Sequence, residues 1–280
     1  MSENDIWKKY AKKETIGVGT YGNIYKGINK ITGDYCAIRE ILKSKYISLN
    51  NSSFNEKKIK ELYIKGNPII REVFNSKDYF YIIMDLCICN LEDYIKMRKD
   101  KLSMNEIQKL LIQLNDILKN YIKKEIILSD LKQSNILLSI DSLDKISVKL
   151  FKLNDNNILN EINSKNVFNS PPTKSPQILN GELFTNKTII WSLGIIIYYL
   201  LFKEYPFNCK TEYQIIKEIE SNKLINPIYD EELNDLVNKM LIIKENERIS
   251  WNDYLLHPFF QKILKHLSYL NLILYANIIY

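Results

Sequence analysis

The chain has 280 residues, 46% hydrophobic and 26% charged, with a formal net charge of +6. That is enough for one large domain or two lobes of ordinary globular composition. The small positive excess is spread along the chain, so no nucleic-acid partner is expected.

The first third reads as strands with one helix. "ETIGVGTYGNIYKGIN" sets glycines between β-formers, and "TGDYCAIREI" alternates after a Thr-Gly turn. "SFNEKKIKELYIKG" has a helical period that stops at Gly66-Asn67-Pro68, and "DYFYIIMDL" is a further apolar strand. The pattern then turns helical. "NLEDYIKMRK" is one candidate. "SMNEIQKLLIQLNDILKNYIKK" is a longer one, with Ser103 as N-cap and Glu106 three residues on. "KISVKLFKL" predicts a short strand, Asn-rich sequence runs on to Pro176, and the remainder is helical with breaks at Gly181, Pro206 and Pro258. Together these elements predict an α+β protein with two lobes. "IIWSLGIIIYYLLF", Ile189 to Phe202, is shorter than the ~18–20 apolar residues of a membrane span, and predicts a helix buried on all sides. The apolar tail Leu267 to Tyr280 is also too short to span and is expected to pack on the domain. A membrane association is therefore not expected. Cys36, Cys87, Cys89 and Cys209 lack zinc spacing, and "MSENDIWKKY" shows no signal peptide, so reduced thiols in the cytoplasm are the expectation.

Two stretches carry chemistry. "GVGTYG", Gly17 to Gly22, is G-x-G-x-x-G. It leads into the strand "NIYKGI" and not into a helix, which suits a flap whose backbone N–H groups approach phosphates. A plain hairpin turn fits the same residues. "IILSDLKQSNILL", Ile126 to Leu138, places an acid, a base and an amide at fixed offsets: Asp130, Lys132 and Asn135.

In order after the glycine stretch come "CAIRE", "IIMDLC", "LSDLKQSNILL", "SPPTKSPQILNG", "IIWSLGIIIYYLL" and "ERISWNDYLLHPFF". This series resembles the eukaryotic-type serine/threonine protein kinases, from about residue 10 to residue 260. The resemblance implies a bilobal fold: a β-rich N-lobe over about 10–85 and an α-helical C-lobe over about 86–260. An N-terminal extension (1–9) and an apolar tail (261–280) flank it. It also implies ATP as cofactor and a protein as substrate or partner. By position, Asp130 matches the catalytic base, Lys132 the loop lysine of serine/threonine enzymes, and Asn135 a metal-holding amide. Gly17, Gly19 and Gly22 match the phosphate flap. Ile24, Ala37 and Leu137 match residues that sandwich adenine, and Met84 the gatekeeper before hinge residues Asp85 to Cys87.

The departures all concern charge. Arg39 replaces the phosphate lysine, and a planar fork is no equivalent of an ammonium. Its helix partner is Glu56 or Glu61, with Glu56 preferred. In "KLFKLND", Lys152, Leu153 and Asn154 stand where the family reads Asp-Phe-Gly, so an ammonium replaces the Mg²⁺ carboxylate and metal binding is expected to be impaired. Reading Asp155 as that carboxylate would shift the register against the strand. Leu128 and Ser129 replace His-Arg, Ile189 replaces an aspartate that braces the catalytic loop, and Ser175-Pro176-Gln177 replaces Ala-Pro-Glu. Arg248 is retained, and Gln177 is expected to offer it a carbonyl oxygen. Ser170-Pro171 matches the family's Thr-Pro. Two readings follow: a pseudokinase acting as scaffold or allosteric regulator, or a divergent active serine/threonine kinase.

Overall fold

The computed structural model describes residues 3–19, 21–50, 66–124, 128, 131–140, 145–150, 173–207, 217–219, 221 and 224–261. The chain divides into two compact units. The first comprises residues 1–94, 116–126 and 134–164, and the second residues 95–115, 127–133 and 165–280.

The first unit is built on strands β1 (Tyr10–Gly19), β2 (Gly22–Asn29), β3 (Tyr35–Leu42), β4 (Ile70–Asn75) and β5 (Tyr79–Met84). They form an antiparallel sheet in the order β1-β2-β3-β5-β4. Alternate side chains of a strand point to opposite faces, and here both faces are apolar. Cys36, Ile38, Tyr81 and Ile83 point to one side and pack with Ile6, Tyr10 and Phe74. Ala37, Ile41, Phe80, Ile82 and Met84 point to the other and pack with Tyr21, Tyr46 and Ile70. Helix α1 (Glu3–Lys9), from the segment read as an extension, covers the first face. Its Ile6 is fully buried, and its Trp7 ring meets Tyr81 edge-on at 5.2 Å. Helix α2 (Lys43–Asn50), which no sequence signal announced, brings Tyr46 to the second face.

A smaller sheet of β6 (Cys89–Asn90), β7 (Ile136–Ile140) and β8 (Ile146–Leu150) completes the unit. The predicted helix over 53–66 falls on residues outside those described, up to its stop at Gly66. There φ is +107°, and a Cβ would sit 2.3 Å from Cγ1 of Ile117, so only glycine lets the chain pass. The Leu150 N–H donates to the Gly66 carbonyl at 3.0 Å, and the Tyr121 hydroxyl donates to Asn67 Oδ1 at 2.8 Å.

The second unit is helical. It contains the following described helices: α3 (Leu91–Met97), which begins in the first unit, the early part of α4 (Met104–Lys123), α5 (Pro176–Leu179), α6 (Asn186–Phe202), α7 (Glu231–Met240) and α8 (Trp251–Leu255). Helix α4 starts at the expected capping box: the Glu106 N–H donates to Ser103 Oγ at 3.3 Å, and the Ser103 N–H to Glu106 Oε2 at 2.8 Å. Helix α6 is the apolar run, buried continuously from Thr188 to Leu200 apart from half-buried Ser192. Gly194 lets it pack tightly on α7; a Cβ there would meet Leu241 Cδ2 at 2.9 Å and Met240 Cβ at 3.1 Å. Helix α7 buries Leu233, Leu236, Val237 and Met240, the i, i+3, i+4, i+7 stripe of a core-facing helix. Among the described residues no helix is long and apolar enough to cross a membrane. The apolar tail from Leu267 lies outside the described residues.

Candidate nucleotide site and the degenerate catalytic positions

The first-unit residues expected to face a nucleotide are placed by strand register. Gly19 pairs with Gly22 at the turn, after two shifts of register, between Lys12 and Thr15 and between Thr15 and Gly17. Ile24 pairs with Arg39, and Ala37 with Met84. Ala37 and Met84 are buried in the second-face cluster, and half-buried Ile24 and Leu137 pack against it together with Leu86. The four apolar positions expected around an adenine are thus one contiguous group.

Arg39 shares their strand face, two residues along β3 from Ala37. Its Nη2 lies 3.3 Å from where a Cβ on Gly19 would stand. A cation therefore sits directly against the glycine backbone, an arrangement that fits an anionic phosphate. Glu40, next in sequence, points to the opposite face and accepts from Lys12 Nζ at 2.9 Å and from the Tyr25 hydroxyl at 3.2 Å.

The hinge stretch is held on both sides. The Asp85 N–H donates to the Ile69 carbonyl at 3.0 Å, and Asp85 Oδ1 accepts from Arg71 Nε at 2.8 Å. That bond raises the Arg71 pKa further above its ordinary value. The Arg71–Asp85 pair was not legible in sequence, because only the β4–β5 register brings the two together. The Ile88 N–H donates to the Leu138 carbonyl at 2.8 Å. Burial pushes the Cys87 thiol up to about 11, against a smaller opposing effect of Lys149, which leaves it a weak nucleophile.

Lys132 is half-buried just before the 3₁₀ turn Gln133–Asn135, and Asn135, also half-buried, closes that turn at the entry to β7. Among the described residues no group of three or more His, Cys, Asp and Glu side chains converges. Asp130, Lys152, Leu153, Asn154, Asp155, Ser129, Glu56, Glu61, Ser170 and Pro171 lie outside the described residues.

In the second unit the apolar replacements Leu128 and Ile189 are buried. Leu128 is 3% exposed and lines a small cavity whose wall mixes Leu131, Ile178 and Phe184 with polar Thr173, Lys174, Ser175, Thr188 and Ser192. Ile189, in place of the bracing aspartate, is 1% exposed. Arg248 is also 1% exposed. Its guanidinium donates to Gln177 Oε1 at 2.7 Å, to the Ile242 carbonyl at 2.9 Å, to the Lys187 carbonyl at 2.9 Å and to the Ile243 carbonyl at 3.2 Å. Gln177 Nε2 in turn donates to the Ile243 carbonyl at 2.6 Å. The expected carbonyl contact from Gln177 is therefore present. The guanidinium also lies over the Trp191 ring, 5.1 Å from its centroid. Burial holds the Arg248 pKa down to about 10, with only Glu245 opposing.

Comparison with known proteins agrees with this architecture. The family model described as "Protein kinase domain" matches residues 10–260. Calcium-dependent protein kinase 5 of Plasmodium berghei (strain Anka) is 31% identical over 287 residues, covering 96% of this chain and 50% of its own length. NUAK family SNF1-like kinase 1 of Homo sapiens is 27% identical, covering 91% of this chain and 39% of its own length. Serine/threonine protein kinase OSK3 of Oryza sativa subsp. indica is 27% identical, covering 92% and 51%. The chain thus spans about half, or less, of the length of these relatives.

Proposed function

This chain belongs to the protein kinase domain family, and on that premise we propose that it is a pseudokinase, a kinase-fold scaffold or allosteric regulator with little or no phosphotransfer. The observation that carries the reading is "KLFKLND": Lys152 stands where the family holds its Mg²⁺ carboxylate. One unit-charge pair about 4 Å apart contributes about 4 kcal/mol at an effective dielectric near 20. Reversing the sign makes that attraction a repulsion, and the metal's double charge enlarges it. Asn135 is neutral and cannot offset the change. The replacement of His-Arg by Leu128-Ser129 and of the bracing aspartate by Ile189 supports the same reading, since apolar packing is kept where charge handling is lost.

A protein is the partner this function requires. The setting we propose is the cytoplasm, in keeping with the free thiols of Cys36, Cys87 and Cys89. We further propose that the nucleotide site binds ATP with weak metal dependence. Arg39 beneath Gly19 supports a phosphate there, and Lys152 supplies a second cation in place of the metal. The residues do not fit Mg²⁺, so no catalytic step is assigned through it.

The test is a phosphotransfer assay on purified protein with Mg²⁺ and with Mn²⁺. No turnover is expected; robust turnover abolished by Asp130→Ala would refute the proposal. That outcome would establish the second reading, a divergent active serine/threonine kinase, which the retained Asp130, Lys132 and Asn135 favour.

A further inference from the structure

We propose that one water molecule is a fixed part of the second unit, held by the Ser175 hydroxyl in the small cavity between α6 and the stretch of Leu128 and Leu131. This goes beyond the function proposed above and does not depend on it.

Ser175 stands at the N-cap of α5, where a serine hydroxyl ordinarily accepts from the backbone of the first turn. Here the side chain makes no capping bond. The residue is 1% exposed, and its Oγ meets no hydrogen-bond partner among the described residues. A hydroxyl buried without a partner destabilises a fold, and native proteins seldom keep one unless a water meets it. Gln133 Nε2 and Trp191 Nε1 are also buried without a partner among the described residues, but neither residue belongs to the wall of this cavity. Only at Ser175 do the two features coincide.

The cavity supplies what a water requires. It offers about 10 Å³, the room of a single water and of nothing larger. Its polar wall comes from two places in the chain: Thr173 and Ser175 before α5, and Thr188 and Ser192 one turn apart on α6. Leu128 and Leu131 close an apolar side. The Ser192 hydroxyl donates to the Thr173 carbonyl at 2.9 Å, and the Thr188 hydroxyl to the Thr185 carbonyl at 2.7 Å. Each α6 hydroxyl has thus spent its one hydrogen and can only accept, whereas Ser175 still has a hydrogen to give. A water between them accepts from Ser175 Oγ and donates to the α6 hydroxyls, as a buried water must to stay in place. It thereby joins the entry of α5 to α6 beside Leu131, the residue before Lys132.

The sign of one substitution separates a wet cavity from a dry one. In a dry cavity Ser175→Ala removes an unsatisfied hydroxyl and no cap, so the chain becomes more stable. In a wet one it deprives the water of its donor, so the chain becomes less stable. For Ser175→Ala in the full chain we expect Tm to fall by about 2–4 °C. An unchanged or raised Tm overturns the proposal. The space left by the hydroxyl can itself lower Tm, so a second measurement locates the water. A crystal structure of the wild-type chain is expected to show density for one water within about 3.2 Å of both Ser175 Oγ and Ser192 Oγ, and that of Ser175→Ala to show none. A wild-type cavity without that density, or density that survives in the variant, overturns the proposal whatever Tm does.

Discussion

Removing one side-chain carbonyl should expose how the buried arginine of the second unit is kept. In Gln177→Ala, Arg248 Nη2 loses its 2.7 Å acceptor and retains only the Ile243 carbonyl at 3.2 Å. An unmade hydrogen bond to a buried charged donor costs about 1.5–3 kcal/mol. The Ile243 carbonyl also loses the 2.6 Å donation from Gln177 Nε2, which with the lost aliphatic burial adds about 1–1.5 kcal/mol. The expected loss is therefore about 2.5–4.5 kcal/mol, or about 4–8 °C in Tm for a chain of 280 residues. Urea denaturation followed by tryptophan fluorescence is the assay, since Trp191 lies against the guanidinium. The midpoint should fall with m unchanged. Gln177→Glu gives the contrast. It gains about 4 kcal/mol of charge attraction at an effective dielectric near 20. It forfeits the donation to Ile243 and desolvates a carboxylate at a cost of several kcal/mol, so the net change should stay within about 1 kcal/mol. A loss below about 1 kcal/mol in the alanine variant would refute the reasoning, because Gln177 would then not be what satisfies Arg248.

Three further outcomes are expected. In a thermal-shift titration, stabilisation of the wild type by ATP should survive EDTA, while in Lys152→Asp it should become sensitive to the chelator; a metal requirement in the wild type would contradict the site reading. Gly194→Ala should cost about 1–3 kcal/mol by overpacking the contact of α6 with α7, measured as a lower urea midpoint with unchanged secondary structure. The hydrogen bonds from the Ser103 backbone and hydroxyl, with Arg98 nearby, hold the Glu106 carboxyl below the usual glutamate range. Its stabilising effect is therefore complete above the unfolded glutamate pKa and is lost as pH falls through the lower folded value, so Glu106→Gln should flatten the acid limb of the stability profile.

The sequence by itself determined the elements whose signal is local. The Ser103–Glu106 box starts α4 as read, because capping depends on residues three apart. The apolar run at 189–202 forms a helix buried on nearly all sides, because a stripe with no polar face can only sit inside. Motif order gave the family, and the contact from Gln177 to Arg248 followed from the cost of leaving a buried guanidinium unmatched. Tertiary structure decided what depends on register and close approach. Helix α2 has almost no apolar periodicity, and it is defined by Tyr46 meeting Tyr21 and Ile41. Arg71 meets Asp85 only because β4 and β5 pair as they do. Tyr21 occupies a variable position in a glycine motif, which says nothing of where its ring points; the inward turn comes from the cluster beneath it. Local pattern fixes which backbone a segment adopts, while the partner of each side chain is set by residues far away in sequence, through packing that no short window contains.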